Sequence, residues 1–329
     1  MPQLIGKEIG PIGFGLMIKG LTWRSKPCSE EQAFETMRTA LQNGMNFWNG
    51  GEFYGTPEYN SLTLLDRYFA KYPEDAEKVV LSIKGGMGPS GIDGSPEGVR
   101  RTLDNCIKLL NGRKKIDMFE YARRDPNTPL KVTFGVIDKE YVQTGKIGGI
   151  SLSEVKASTV HEAAKITKIV ACEVELSLFA TDVLDNGVAA ACAEHNIPLI
   201  AYSPLGRGIL TGQVKSLDDI PQDSMLRHFP RFQPDTFPIN IQLAHQVEEM
   251  AQKKGCKSAQ LAVNWTRAVS KRPGMPVIIP IPGATTVDRV NENAKVVEMS
   301  EQEMKELDET LSKFTPAGAR YPPSIPMEG

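Results

Sequence analysis

The stretch IGGISLSEVKASTVHEAAKITKIVACEVE, residues 147–175, predicts a strand, a helix and a second strand in succession. Its first and last parts, IGGISL (147–152) and KIVACEVE (168–175), are short apolar runs, typical of strands that are buried on both faces. Between them, SEVKASTVHEAAKI (153–166) begins at a serine and predicts a helix. Parallel strands joined by a helix in this way are the repeating unit of α/β proteins.

The same alternation extends over most of the chain. Eight apolar runs predict strands: IGFGLM (12–17), MNFW (45–48), VVLSIK (79–84), IDMFEY (116–121), IGGISL (147–152), KIVACEVE (168–175), IPLIAYS (197–203) and PVIIPIP (276–282). The intervening patterns predict helices at 29–44, 59–72, 95–111, 132–145, 153–166, 181–196, 238–255, 258–270 and 285–297. Eight such units predict a closed (β/α)₈ TIM barrel, with residues 3–10 as an N-terminal hairpin and long loops at the C-terminal face.

A doubly wound open sheet is the alternative architecture for alternating strands and helices. It needs a glycine fingerprint after the first strand, and Gly13-Phe14-Gly15 lacks the third glycine. No acidic residue ends the second predicted strand, where a ribose would need one. The barrel is therefore favoured, and residues 1–329 are expected to form one domain. The long segment 212–238, rich in Pro, Asp and Arg, is expected to be a functional loop.

The composition excludes several classes of partner. The net charge of −2 gives no electrostatic basis for binding nucleic acid or an anionic membrane. The five cysteines are scattered and odd in number, which predicts free thiols rather than disulfides or a metal site. No apolar window approaches the ~18 residues of a membrane span, and no secretory signal is visible. The expectation is a monomer in the cytoplasm, with the nucleus left open, that acts on a small molecule.

The carboxyl ends of the strands are where a barrel carries its functional side chains. The strand predictions place these side chains at one mouth: Asn49, Tyr54, Lys84, Ala122, Arg123, Ser153, Glu173 and Tyr202. A phenol with a pKa near ~10 is a poor acid, but a neighbouring ammonium lowers that value. Tyr54 beside Lys84 would therefore protonate an oxygen that becomes an alkoxide. The alternative for Lys84 is a solvated lysine at a strand end, although the flanking LSI and GGMG favour burial.

Six motifs in chain order resemble the signatures of the aldo-keto reductases. They are NFWNGGEFYG (46–55), similar to NxIDTAxxYG; LSIKGG (81–86), similar to the strand-three lysine motif; IDMFEYARRD (116–125), similar to IDLYQLHRVD; GKIGGISLSE (145–154), similar to GKIRAIGVSN; AYSPLGRGILTG (201–212), similar to YSPLGxGxLTG; and PIPGATTVDRVNEN (280–293), similar to IPxxxxxxRxxEN. The resemblance covers almost the whole chain. The residues LTWR (21–24) and FWNGGEFYG (47–55) most resemble those of the fungal pyridoxal reductase branch.

This resemblance implies reduction of a carbonyl with NADPH, with Tyr54 as general acid and Lys84 as its pKa partner. It implies cofactor contacts from Ser153, Glu173, Tyr202, Ser203, Leu205, Arg207, Gly208, Lys215, Arg289, Glu292 and Asn293. It implies substrate contacts from Trp23, Tyr54, Ala122 and Arg123. Arg289 falls where the 2′-phosphate is held, and a guanidinium fork suits a phosphate. Without the surrounding motif, Arg289 would be interpreted as an exposed arginine on a helix.

Four residues depart from the family pattern. Asn49 replaces the aspartate that pairs with the lysine, Ala122 replaces a histidine near the carbonyl, and Glu154 and Glu173 replace amides that bind the carboxamide. Asn49 accepts a hydrogen bond from Lys84 in this interpretation but carries no charge, so the lysine pKa is expected to be lower than usual. The donor lost at Ala122 is supplied by another group or by the substrate, since pyridoxal carries a phenolic oxygen beside its aldehyde.

Three functions are compatible with these residues. The first is an NADPH-dependent reductase of aldehydes, with pyridoxal as the favoured substrate. The second is a cofactor-bound regulatory subunit like the potassium-channel β-subunits, which the missing aspartate and histidine would suit. The third, a binding protein without cofactor, agrees poorly with the segment around Arg289. Retention of Tyr54, Lys84, Tyr202 and Arg289 together favours the enzyme.

Overall fold

A computed structural model describes residues 1–17, 21–22, 28–88, 91–325 and 327–328. Its centre is a sheet of eight parallel strands that neighbour one another in chain order. The strands are β3 (Phe14–Gly15), β4 (Phe47–Gly51), β5 (Val80–Gly85), β8 (Met118–Tyr121), β9 (Ile150–Ser153), β10 (Ile169–Glu175), β11 (Leu199–Tyr202) and β12 (Ile278–Pro280). Two short hairpins account for the other labels, β1 (Gln3–Leu4) with β2 (Lys7–Glu8) and β6 (Met87–Gly88) with β7 (Gly91–Ile92).

Hydrogen bonds between the first and last strands of this sheet close it into a barrel. The Gly13 N–H donates to the Pro280 carbonyl at 2.9 Å, and the Gly15 N–H donates to the Pro282 carbonyl at 3.3 Å. Glycine is needed at this seam, because a Cβ on Gly15 would lie 2.8 Å from the Ile281 carbonyl oxygen. The predicted (β/α)₈ barrel is confirmed, and the open sheet is excluded.

The barrel interior has an apolar floor, which the predicted N-terminal hairpin closes from below. Leu4 and Ile9 pack there against inward side chains of the strands, namely Phe47, Val80, Met118, Ala171, Ile200, Ile279 and Ile281. Alternate residues of a strand point to the same face, so the next inward positions lie above this floor. Those positions carry Asn49, Lys84, Glu120, Glu173 and Tyr202. The polar layer of the barrel thus rests on a packed apolar base.

Helices cover the outside of the barrel. They are α1 (Glu30–Gln42), α2 (Ser61–Lys71), α3 (Pro96–Leu109), α4 (Leu130–Ile137), α5 (Ala157–Ile166), α6 (Val188–Glu194), α7 (Phe237–Lys254), α8 (Ser258–Val269), α9 (Val287–Asn293) and α10 (Glu301–Ser312). Serine caps begin two of them at the first residues of the predicted ranges 29–44 and 95–111, since the Ser29 and Ser95 hydroxyls accept from the N–H groups of Gln32 and Gly98. Among the described residues, no helix is both long and apolar enough to cross a bilayer.

Three local predictions were incomplete. The predicted helix 181–196 is interrupted at Gly187, which has a φ of 89°, so that only α6 and a 3₁₀ turn at Asp182–Leu184 remain helical. The predicted helix 132–145 changes from α4 to a π-helical turn at Asp138–Val142. The long loop 212–238 contains short 3₁₀ turns, at Leu217–Asp219, Met225–His228 and Pro230–Phe232.

Candidate active site

Four side chains from four strands meet in the polar layer of the barrel. Asn49 lies on β4, Lys84 on β5, Glu120 on β8 and Glu173 on β10. Strand pairing sets Lys84 directly beside Glu120. All four are buried, with 5% of Lys84, 1% of Glu120 and 2% of Glu173 exposed. Charges buried this deeply must be paired, so their contacts decide the electrostatics of the site.

Lys84 pairs with glutamates rather than with Asn49. Its Nζ lies 2.5 Å from Glu173 Oε1 and 3.6 Å from Glu120 Oε1. The Asn49 amide donates to the same two carboxyls, at 2.5 Å to Glu173 Oε2 and 3.3 Å to Glu120 Oε1. The prediction that Asn49 accepts from Lys84 is wrong, because its Nδ2 is turned toward the carboxyls. Glu173 provides the charge next to the lysine.

This pairing also reverses the shift that was expected for the pKa of Lys84. Burial by itself lowers the pKa of Lys84, but the charges of Glu173, Tyr54 and Glu120 outweigh it and raise the pKa well above its ordinary value. The prediction of a lower lysine pKa is therefore wrong. Burial, and then repulsion from Glu173, raise the pKa of Glu120 well above its ordinary value. Glu173 is the closer partner of Lys84, and the raised pKa favours the protonated form of Glu120.

Tyr54 lies at the top of this layer, held by the turn that follows β4. Its backbone N–H donates to the Gly51 carbonyl at 3.2 Å, and its ring lies against Gly51, where a Cβ would be 2.8 Å from the ring. The Ser61 hydroxyl also donates to the Gly51 carbonyl, at 2.8 Å. Burial raises the pKa of Tyr54 above its ordinary value and outweighs Lys84, which lowers it through its charge and a hydrogen bond. The prediction of a lowered tyrosine pKa is therefore wrong. At neutral pH Tyr54 is a phenol beside an ammonium, which is an arrangement that can deliver a proton.

The rim above this layer is a network of two carboxylates and two guanidinium groups. Arg320 of the C-terminal tail binds Glu154 at 3.0 Å and Glu175 at 3.1 Å. Arg207 binds the same Glu175 with two nitrogens, at 3.1 and 2.9 Å. Burial by itself raises the pKa of Glu154, but Arg320 and Arg123 hold it below its ordinary value. The carboxylate of Glu154 is therefore ionised and already engaged.

The tail crosses the mouth beside the predicted substrate residues. The hydroxyl of Tyr321 lies 2.7 Å from that of Tyr202, and the Tyr321 ring centroid lies 5.6 Å from the Arg123 guanidinium carbon. Arg123 also donates to the Ala122 carbonyl at 2.6 Å. Tyr202, Arg123 and Ala122 are thus brought together with Tyr54 and Lys84 around one mouth, whereas Trp23 lies outside the described residues.

Ser153 fits the predicted contact with the nicotinamide carboxamide. Its hydroxyl is buried at the end of β9 and has no hydrogen-bond partner within the described part of the chain. A buried, unpaired hydroxyl is costly, so a ligand amide placed there would remove the penalty. The other predicted carboxamide residue, Glu173, is instead bound to Lys84 and Asn49.

The remaining predicted cofactor residues lie after β11 and on α9. The backbone of the turn after β11 is left-handed at Ser203, Gly206, Arg207 and Gly208, with φ values of 51°, 56°, 60° and 104°. The Arg207 side chain is turned away to Glu175 and stacks 4.3 Å from the ring centroids of Phe229 and Tyr321. This turn therefore offers a phosphate its backbone, and Leu205 lies in the same turn.

Arg289 is the strongest phosphate candidate. Its Nη2 donates to the neutral Gln213 Oε1 at 2.6 Å, and no acidic side chain pairs with it among the described residues. Two neighbouring candidates are already paired, Lys215 with Glu248 at 3.0 Å and Glu292 with Lys257 at 2.7 Å. Asn293 donates to the Gly283 carbonyl at 3.4 Å. Within the described ranges, the positive charge of Arg289 is thus left without a carboxylate partner.

Two residues of this site were missed by sequence reasoning. Glu120 lies two positions after Met118 of the apolar floor, so strand alternation alone directs it into the barrel beside Lys84. Glu175 follows Glu173 by the same spacing and reaches the rim. Both lie inside predicted strands, and an acidic residue within an apolar strand was the sequence feature that could have indicated a role in the site.

Comparisons with known proteins agree with this geometry. A sequence model described as "Aldo/keto reductase family" matches residues 11–312. The chain is 42% identical over 330 residues to a Schizosaccharomyces pombe protein called probable pyridoxal reductase 2, covering 98% of this chain and 97% of that protein. It is 36% identical over 332 residues to a putative pyridoxal reductase of Saccharomyces cerevisiae, covering 94% and 95%.

Another relative and a solved structure extend the comparison. An aldo-keto reductase of Schizosaccharomyces pombe, named with NADP(+), is 34% identical over 330 residues and covers 97% of this chain and 94% of that protein. The structure of a glycerol dehydrogenase from Gluconobacter oxydans superposes with a TM-score of 0.81 at 21% identity, covering 98% of both chains. That structural likeness supports the barrel fold.

Proposed function

Because the chain belongs to the aldo/keto reductase family and is an NADP-dependent oxidoreductase, we propose that it reduces an aldehyde to an alcohol with NADPH, most favourably pyridoxal to pyridoxine. The observation that carries this proposal is the buried group of Tyr54, Lys84 and Glu173, since it gives a phenol beside an ammonium held by a carboxylate. The proposed enzyme is a cytoplasmic monomer, with residues 1–329 as one domain.

In the proposed reaction Tyr54 is the general acid. When bound, NADPH supplies the hydride that the carbonyl carbon accepts. Tyr54 donates its proton to the carbonyl oxygen as negative charge develops there, and Lys84 stabilises the phenolate that results. Burial raises the pKa of Tyr54, so the phenolate depends on Lys84 for its stability.

Glu173 and Glu120 keep Lys84 in its charged form. The carboxylate of Glu173 at 2.5 Å balances the ammonium, and the neutral Glu120 adds a polar contact without a second charge. Asn49 donates to both carboxyls and so fixes them against each other. The charge that the family places at position 49 is thereby carried by position 173 in this chain.

For the cofactor, we assign the carboxamide to Ser153, the nicotinamide face to Tyr202 and the 2′-phosphate to Arg289. Three observations support this assignment. The Ser153 hydroxyl is buried without a partner in the described residues, Tyr202 stands at the carboxyl end of β11, and Arg289 has a neutral partner. The backbone from Ser203 to Gly208 would hold the pyrophosphate, and Lys215, Glu292 and Asn293 would border the adenosine.

For the substrate, Ala122, Arg123 and Trp23 are proposed to line the pocket. Ala122 offers no side-chain donor to a carbonyl. Pyridoxal carries a phenolic oxygen next to its aldehyde, and this oxygen polarises the carbonyl within the substrate.

The test of this function is to measure the consumption of NADPH in the presence of pyridoxal through the absorbance of NADPH. We expect turnover with pyridoxal and about 10²-fold lower kcat/KM with pyridine-4-carbaldehyde, which lacks the neighbouring phenol, since this is the usual loss for one preorganised donor. Equal kcat/KM values for the two aldehydes would contradict the role given to the substrate phenol. Tight NADPH binding without turnover of any aldehyde would indicate a regulatory subunit instead.

Replacement of Arg289 tests the cofactor assignment separately. Arg289→Ala is expected to weaken NADPH binding by about 10- to 100-fold, because a charge-assisted hydrogen bond is worth about 1.5–3 kcal/mol. Binding of NADH, which lacks the 2′-phosphate, should change less than about twofold. Lys271→Ala is the control, since Lys271 is an exposed cation paired with Glu298. Equal losses for the two cofactors in titrations of protein fluorescence would exclude a phosphate contact.

A further inference from the structure

Two of the four histidines of the chain meet on the outside of the barrel. His161 lies on α5 and His195 caps the C-terminal end of α6. The Nδ1 of His161 is 2.9 Å from the Nε2 of His195, and the two rings are inclined at 70°. Glu194 precedes His195, and its carboxylate lies within 4.8 Å of a ring nitrogen of each histidine. Three ligand atoms from two helices therefore converge on one small volume.

The geometry points to a site for a transition metal of the zinc class, and we propose that His161, His195 and Glu194 bind Zn²⁺ there. Imidazole nitrogens and a carboxylate are ligands that Zn²⁺ prefers, at about 2.0–2.2 Å. Two tetrahedral nitrogen ligands at that distance stand about 3.3 Å apart. The histidine nitrogens need to separate by only a few tenths of an ångström, and water would complete the coordination.

The surroundings allow this small adjustment. Both histidines are half-buried and Glu194 is exposed, so the ion reaches the site from solvent and the carboxylate can rotate. Without a metal, one imidazole must donate a hydrogen to the lone pair of the other. When Zn²⁺ binds, that hydrogen would move through solvent to the other nitrogen of its own ring, so that both neutral imidazoles present a lone pair to the ion. The sequence predicted no metal site, since that prediction considered the spacing of the cysteines. The histidine and glutamate ligands come together only when α5 packs against α6.

The site lies on the outside of the barrel, with His195 toward the end opposite the mouth. His195 ends α6 shortly before β11 begins at Leu199, and the active-site groups stand at the carboxyl ends of the strands. Zinc bound here would tie α5 to α6 and stabilise the folded chain through mass action. It is not expected to alter turnover directly. The expected effects are therefore zinc binding and a more stable fold, and not a change in catalysis.

The experiment is calorimetric titration of the metal-free, reduced full chain with ZnCl₂, together with thermal unfolding. We expect one zinc ion per chain and a higher unfolding temperature. His161→Gln and His195→Gln should each weaken binding by at least about tenfold, and Glu194→Gln should weaken it less. His245→Gln is the matched control, because His245 is an exposed histidine on another helix, α7. Mg²⁺, which prefers oxygen ligands, should not compete.

Two further readouts separate this site from binding elsewhere on the chain. Co²⁺ should give visible absorption bands that are lost in His161→Gln and kept in His245→Gln. Fluorescence or absorbance titration of the same variants with Co²⁺ would give the stoichiometry independently of calorimetry. The proposal is overturned if the wild-type chain binds no zinc, or if both His161→Gln and His195→Gln, folded by circular dichroism, bind zinc as tightly as the wild type.

Discussion

Replacement of Tyr54 by phenylalanine is expected to lower kcat for aldehyde reduction by about 10²- to 10⁴-fold, the range contributed by a positioned general acid. The substitution removes the hydroxyl and keeps the ring, which packs on Gly51 and against Phe53 at 5.0 Å between centroids. The barrel should therefore fold, and affinity for NADPH should stay within about twofold. Single-turnover kinetics with NADPH and pyridoxal would isolate the chemical step.

A matched control for this variant is Tyr321→Phe. Tyr321 also has a hydroxyl at the mouth, 2.7 Å from the hydroxyl of Tyr202, but it is not hydrogen-bonded to Lys84 in the proposed mechanism. Its loss should affect KM more than kcat, because it lies on the tail that borders the substrate. Should Tyr54→Phe retain the wild-type kcat, another group must deliver the proton and the mechanism proposed here would be discarded.

Removal of both glutamates beside Lys84 is expected to have the second largest effect. Glu120→Gln/Glu173→Gln leaves the buried ammonium without a carboxylate, and breaking a buried pair costs about 3–5 kcal/mol of folding stability. Lys84 would then lose its proton or its position, and kcat should fall by about 10²-fold or more, as on losing one preorganised electrostatic group. Urea denaturation and steady-state kinetics measure the two effects.

The two single substitutions together should cost less in kcat than the double substitution. Glutamine resembles the protonated Glu120 in shape and charge, so Glu120→Gln should keep kcat within about threefold. In Glu173→Gln the proton can leave Glu120, whose carboxylate is 3.6 Å from Lys84 and takes over the charge, so a loss of about tenfold is expected. The coupling in this double-mutant cycle measures the charge that the two carboxyls share. Additive losses would show that each glutamate acts alone.

The fold was predictable because each barrel strand is buried on both faces and is therefore a continuous apolar run. All eight strand predictions overlap the observed strands, and the hairpin beneath the barrel was also predicted. The predicted helix over 181–196 was too long because Gly187 requires a left-handed backbone. Helix α10 was not predicted, although Ser300 and Glu303 form a capping box at its start. Its polar sequence buries mainly Leu307, so the apolar signal is weak.

Sequence alone located the site residues whose position follows from the end of a single strand. Tyr54 and Lys84 follow from their positions and from the motifs around them. The Lys84–Glu173 pair joins residues 89 positions apart, and sequence alone does not say which carboxylate reaches the lysine. The direction of Asn49 was misjudged for the same reason, because the amide donates to two carboxyls that were not considered together.

The proposed site depends on a glutamate that carries the charge which the family places at position 49. Glu120→Gln/Glu173→Gln/Asn49→Asp returns a single carboxylate to that position, and its kcat with pyridoxal can be compared with that of the double glutamine variant. If one negative charge beside Lys84 is what the site requires, the triple variant should recover at least about tenfold in kcat, by analogy with the loss on removing one electrostatic group. A triple variant that folds, binds NADPH and stays as slow as the double variant would contradict the claim.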